Sequence, residues 1–146
     1  MAYSNVATGH RLVPHYLYQV LNEKGEATIT KEAEEAERQP DIEEHDYELV
    51  REALRKTAIS YGFDVFPVEI AAKTGTGETG RADLDDYAMF ACWAPFKDPK
   101  YCVAVAVEQG GGGSTAGLPI ARDILSLLFG VEADSSIGSN ANSNER

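Results

Sequence analysis

Three apolar runs, Val65–Thr76, Tyr87–Ala94 and Tyr101–Glu108, follow one another with only turn-forming residues between them. Gly75, Gly77 and Gly80 break the first run from the second, and Pro95-Phe96-Lys97-Asp98-Pro99 separates the second from the third. Runs of this length, rich in β-branched and aromatic residues and bounded by glycine and proline, predict strands. Connections this short allow only antiparallel pairing. A helix is predicted next: Ser114 or Thr115 caps it, Leu118, Ala121, Ile124, Leu125 and Leu128 share one face, and Gly130 stops it. That stripe must be buried, and the sheet is the surface at hand. The predicted class is mixed α/β, of the α+β kind, an antiparallel sheet with a packed C-terminal helix.

Upstream, Tyr3–Ala7 reads as a short helix closed at Gly9, and Val13–Leu21 with Ala27–Thr30 as a hairpin around Asn22-Glu23-Lys24-Gly25. Pro40-Asp41-Ile42-Glu43-Glu44 has the form of a helix start, with Asp41 as cap and Glu44 three residues on. Leu49, Val50, Ala53, Leu54 and Thr57 supply its apolar stripe and Gly62 its end, which adds a helical insert to the sheet. From Glu132 onward, serine, asparagine and glycine predict a flexible tail, dividing the chain into 1–130 and 131–146.

At 146 residues the chain suffices for one hydrophobic core. Its formal charge, 13 minus 24 or −11, argues against nucleic acid or an anionic membrane as partner. Glu32, Glu34, Glu35, Glu37, Asp41, Glu43, Glu44, Asp46 and Glu48 crowd one region, read as a solvated surface. No run reaches the ~20 apolar residues of a membrane helix, and Met1–His10 has no signal-peptide pattern. Cys92, Cys102, His10, His15 and His45 lack the spacing of a zinc site, so neither metal nor cofactor is expected. The cysteines lie symmetrically about Lys97, which leaves two readings: a bond across a hairpin, or two buried free thiols, the commoner state.

The candidate chemistry sits in Lys73-Thr74-Gly75-Thr76, a cation and two hydroxyls at the end of a strand, suited to an anionic ligand. Gly75-Thr76-Gly77-Glu78-Thr79-Gly80 also satisfies the dinucleotide glycine pattern. Its context fails, because Arg81-Ala82-Asp83-Leu84-Asp85-Asp86 predicts no helix and carries three carboxylates that would repel a pyrophosphate. A second run, Gly110–Gly113, reads as a pliable connection.

Ala71-Ala72-Lys73-Thr74-Gly75-Thr76-Gly77-Glu78 resembles the third active-site motif of the penicillin-binding transpeptidases and serine β-lactamases. Tyr87–Pro95 and Pro99–Glu108 resemble the two strands that follow it, Gly112–Ala121 the glycine loop and terminal helix, and Ala2–Gly9 with Leu12–His15 an upstream helix end and strand. The wording is most similar to class B, single-activity transpeptidases of the elongation type. The resemblance implies part of a DD-peptidase/β-lactamase-like fold, whose parent acts on a peptidoglycan stem peptide, is trapped by β-lactams, and works outside the cell membrane on an N-terminal anchor. It assigns Lys73, Thr74 and Thr76 to the substrate or β-lactam carboxylate and its network, and the Thr76 amide to half of an oxyanion hole, with Gly75 completing the motif.

Ser-x-x-Lys and Ser-x-Asn, the family's other two motifs, occur nowhere in the 146 residues. Tyr3-Ser4-Asn5 spells a Tyr-x-Asn variant but stands in the stretch that resembles a later helix, and is read as coincidence. Ala72 replaces a common glycine and Tyr87 a frequent histidine, changes expected to narrow the cleft beside the strand. The expectation is a C-terminal portion of the domain, inert alone for want of a nucleophile. The remainder of the domain is its natural partner, and self-association through an exposed sheet edge is a further one. The alternative is a non-catalytic module that binds a carboxylate-bearing peptide or another protein.

Overall fold

The structure, a computed structural model, describes residues 2–36 and 41–139. Its elements are α1 (Ala2–Thr8), β1 (Gln19–Leu21), β2 (Ala27–Thr30), α2 (Glu44–Ser60), β3 (Ala71–Gly77), β4 (Tyr87–Ala94), β5 (Tyr101–Val107) and α3 (Leu118–Phe129). β3, β4 and β5 form an antiparallel sheet in that order, and β1 and β2 a separate hairpin. The expected order of helices and strands is present, with boundaries that differ for physical reasons.

The first predicted strand begins at Ala71, six residues later than its apolar run. Pro67 lies within that run and brings no amide to a ladder. The chain turns there instead, burying Phe63, Phe66 and Ile70 and leaving Val65 exposed. Likewise only Gln19–Leu21 of the predicted Val13–Leu21 pairs in the hairpin, while Tyr16 is fully exposed. Gly25, at φ 79°, makes the hairpin turn, and Gly9, at φ 77°, closes α1.

α2 starts at Glu44 with Glu43 at its N-cap and no side-chain cap bond, so Asp41 does not cap it. The Glu44 carboxylate is engaged instead by Arg51 Nη1 at 2.7 Å. Pro40 and Glu37, parts of the predicted helix start and acidic region, lie outside the described residues. The buried face of α2 also differs: Tyr47 and Ala58 are buried and Leu54 partly so, while Leu49 and Val50 are exposed. Polar anchors select this face. Tyr47 Oη donates to Asn5 Oδ1 at 3.1 Å and Arg51 Nε to the Val6 carbonyl at 2.7 Å, tying α2 to α1.

One sheet face carries Ala72, Phe90, Cys92, Ala94 and Val103 against Leu118, Ala121 and Leu125 of α3, with Phe63, Phe66, Ile70 and Ile137 completing the core. The other carries Ala71 and Trp93 against Ala7, Tyr3, Val6, Leu54 and Phe96. In α3 the helix turns so that Ser126 is buried and Phe129 half-buried, whereas the expected Ile124 and Leu128 stand exposed. Neither Ser114 nor Thr115 caps α3: both lie in a wide helical turn, Gly113–Gly117, that leads into it. Thr115 Oγ1 donates to the Gly112 carbonyl at 2.9 Å.

The glycine run is a close-packing device rather than a pliable connection. A Cβ at Gly113 would collide with Met89 O and Gly75 O, and one at Gly117 would lie 2.8 Å from Phe90 Cβ. The stretch expected to trail away from 131 instead returns to the core as far as 139, with Ile137 2% exposed and the Gly138 amide donating to Tyr61 O at 2.7 Å. Residues 140–146 lie outside the described part.

Cys92 and Cys102 do not face each other. The register pairs Cys92 with Val103 and Trp93 with Cys102, so a one-residue offset sends the thiols to opposite faces of the sheet. Both are free; Cys92 is buried, Cys102 exposed.

Candidate functional site

β3 has β4 on one side and, among the described residues, no strand on the other. Strand alternation puts Lys73, Gly75 and Gly77 on the face of Ala71, and Thr74 and Thr76 on the face of Ala72. Lys73 is exposed and its Nζ donates to the Thr74 carbonyl at 2.8 Å. A carbonyl that takes this ammonium points away from β4. Because amide and carbonyl directions repeat every second residue, the Thr76 amide points along the same free edge. Thr76 is exposed as well. The sequence-predicted Lys73, Thr74, Gly75 and Thr76 thus share one strand edge, with a cation, an amide and hydroxyls available to an anion.

Over the Lys73 face of the sheet is a cleft of about 370 Å³. Tyr3, Lys73 and Met89 are among its lining residues, and the small Gly75, Ala91, Ala104 and Ala106 between them leave the sheet face open. Burial raises the Tyr3 phenol above its ordinary pKa of 10.0, helped by Tyr61 and the two thiols. Asn5, by contrast, is buried and bonded to Tyr47, so Tyr3-Ser4-Asn5 does not present an amide towards Lys73. Ala72 does not narrow this cleft: its methyl lies on the opposite face, fully buried in the core. Tyr87 does share the Lys73 face, opposite Gly77, and its hydroxyl reaches Glu108 Oε1 at 3.5 Å.

Sequence reasoning missed Tyr61. Its hydroxyl lies 2.7 Å from Thr74 Oγ1, inside the motif. The residue follows the last turn of α2 with nothing around it to suggest a role, since the contact arises only when α2 packs along β3.

The glycine pattern at Gly75–Gly80 runs out of β3 into a turn, not a helix. There Arg81 Nη2 pairs with Asp83 Oδ2 at 2.8 Å, and Asp86 Oδ1 accepts the Thr79 amide at 3.1 Å. Side chains that would confront a phosphate close the loop on itself. Among the described residues no three His, Cys, Asp or Glu side chains group as metal ligands, and no helix is long and apolar enough to cross a membrane.

A strand of this wording on the free edge of a helix-covered antiparallel sheet defines a transpeptidase-type domain. The chain belongs to the penicillin binding protein transpeptidase domain family, whose model matches residues 1–126. Peptidoglycan D,D-transpeptidase MrdA of Salmonella typhimurium is 35% identical over an 85-residue alignment that covers 49% of this chain and 14% of that protein. Peptidoglycan D,D-transpeptidase PbpA of Mycolicibacterium smegmatis is 44% identical over a 63-residue alignment that covers 38% of this chain and 13% of that protein. The chain therefore spans only a small part of these relatives' length.

Solved structures establish the fold. Penicillin-binding protein A from M. tuberculosis, as its imipenem acyl-enzyme complex, superposes with a TM-score of 0.68 at 22% identity, over 86% of this chain and 28% of that one. Penicillin-binding protein 2B from Streptococcus pneumoniae gives 0.67 at 23% identity, over 88% and 23%.

Proposed function

We propose that residues 1–130 form the C-terminal portion of a class B peptidoglycan DD-transpeptidase domain, contributing the substrate and oxyanion strand but not the nucleophile. The observation that carries this is the shared free edge of Lys73, Thr74 and Thr76, with an open cleft over the Lys73 face of the sheet. In this reading the Thr76 hydroxyl and Lys73 hold the terminal carboxylate of a stem peptide or β-lactam, and the Thr76 amide stabilises the oxyanion of acyl transfer. The attacking serine, its lysine and the second motif come from the remainder of the transpeptidase domain, which is the principal partner. The parent is anchored to the cell membrane and works outside it.

Alone, the chain is inert. Loss of a single oxyanion donor costs about 3 kcal/mol of transition-state stabilisation, and here the nucleophile and its base are missing too. Incubation with labelled penicillin followed by mass spectrometry tests this. No adduct is expected; an acid-stable one-to-one acylated species would overturn the reading.

A further inference from the structure

Tyr61 is held from four directions. Its amide donates to Ala58 O at 3.1 Å and its carbonyl accepts the Gly138 amide at 2.7 Å. Its ring packs on Phe90 with centroids 6.2 Å apart, and its hydroxyl meets Thr74 Oγ1 at 2.7 Å. α2, the 131–139 segment and β4 therefore fix the phenol before it reaches β3.

Each hydroxyl has one hydrogen to give. A phenol O–H is more polar than that of an alkanol, so in this pair the tyrosine is the better donor and the threonine the better acceptor. We infer that Tyr61 is a positioning residue for the Lys73–Thr76 edge: its hydroxyl donates to Thr74 Oγ1, holds Thr74 in one rotamer, and frees the Thr74 hydrogen for a ligand. Thr74 and Thr76 lie on the same face of β3. With Tyr61 donating to one of its two lone pairs, Thr74 keeps its hydrogen for a ligand, and a donor is the only kind of partner an ionised carboxylate takes. The ligand class, a carboxylate-terminated peptide, rests on the function proposed above. The rotamer control of Thr74 does not.

The test uses the whole chain with Tyr61→Phe, Thr74→Ser, Thr74→Val and the Tyr61→Phe/Thr74→Val double variant. A tripeptide ending in D-Ala-D-Ala is titrated while the Thr76 amide is followed by NMR. Tyr61→Phe is expected to weaken binding about three- to tenfold, the effect of one hydrogen bond, and Thr74→Val at least as much. Thr74→Ser, which keeps the hydroxyl, binds more tightly than Thr74→Val, and the double variant binds no more weakly than Thr74→Val. A double variant whose losses add in full would overturn the proposal, because the two residues would then act independently. Three-bond scalar couplings to Thr74 Cγ2 report its rotamer without ligand: one rotamer in the wild type, averaging in Tyr61→Phe. If the wild type binds no peptide, the carboxylate reading fails and these couplings decide the role of Tyr61. Unchanged couplings in Tyr61→Phe would overturn it.

Discussion

Gly113 lies so close beneath Gly75 that a methyl group on it would sit 2.8 Å from the Gly75 carbonyl oxygen and collide with that of Met89. The helical turn before α3 thus presses directly on the strand that carries Lys73 and Thr76. Both obstructing atoms are backbone, so a side chain cannot swing aside to relieve the clash. Gly113→Ala should lower stability by roughly 1–3 kcal/mol, the usual cost of overpacking. It should also displace the amide resonances of Thr74–Thr76 more than those of β5. Urea unfolding and an ¹⁵N spectrum check both effects; Gly111→Ala is a local control, since a Cβ there meets nothing within 4 Å although its φ of 71° adds strain.

The opposite facing of the two thiols separates their chemistry. Cys102 should be labelled by a maleimide in the native state and Cys92 only after unfolding, with no disulfide formed under mild oxidation. Burial, aided by Cys102, pushes the Cys92 thiol up to about 12 from an ordinary 9.0. A folded-state pKa above the unfolded one means that the unfolded chain loses this proton first. The stabilisation is complete below pH 9 and is lost as the pH rises towards 12. Wild-type stability should therefore fall more steeply than that of Cys92→Ala above pH 9, by up to about 1.4 kcal/mol per pH unit. Parallel urea midpoints for the two proteins between pH 9 and 11 would refute this.

Ile137 fills the core next to Leu118, with Gly138 at φ 93° turning the chain against that leucine. Ile137→Ala should cost about 2–5 kcal/mol, as for other large-to-small core changes. Ending the chain at Gly130 should do at least as much harm. Thermal unfolding of the two variants distinguishes a packed segment from a loose tail, for which neither change would matter.

What was legible in the sequence was the local pattern. The three strands, the Asn22–Gly25 turn and the Gly9 and Gly130 stops follow from short-range rules that tertiary packing did not override. That Lys73, Thr74, Gly75 and Thr76 lie in succession on one strand was legible for the same reason, although alternation sends Lys73 to one face and the two threonines to the other. Positions decided by a distant partner were not. The face of α2 was chosen by Asn5 and the Val6 carbonyl rather than by its apolar stripe. The cysteines were separated by a one-residue register that symmetry about Lys97 does not reveal. Ile137 lies in a polar stretch, and Tyr61 reaches Thr74 only once the helix is docked.

Lys73 offers the clearest separation of stability from binding. Its side chain is exposed and its one described bond, to the Thr74 carbonyl, is made to its own strand edge. An exposed side chain of this kind supports folding little, so Lys73→Ala should change stability by less than about 0.5 kcal/mol. The same change removes the cation from the edge that carries the Thr76 amide and hydroxyl, and a carboxylate held there loses its charged partner. Shifts of the Thr76 amide on titration with a D-Ala-D-Ala peptide should vanish in Lys73→Ala, and in the wild type they should weaken as salt is raised. Lys73→Arg keeps the charge but replaces a compact ammonium with a planar fork, and should bind with intermediate affinity. Retention of wild-type shifts by Lys73→Ala would show that the peptide is held elsewhere.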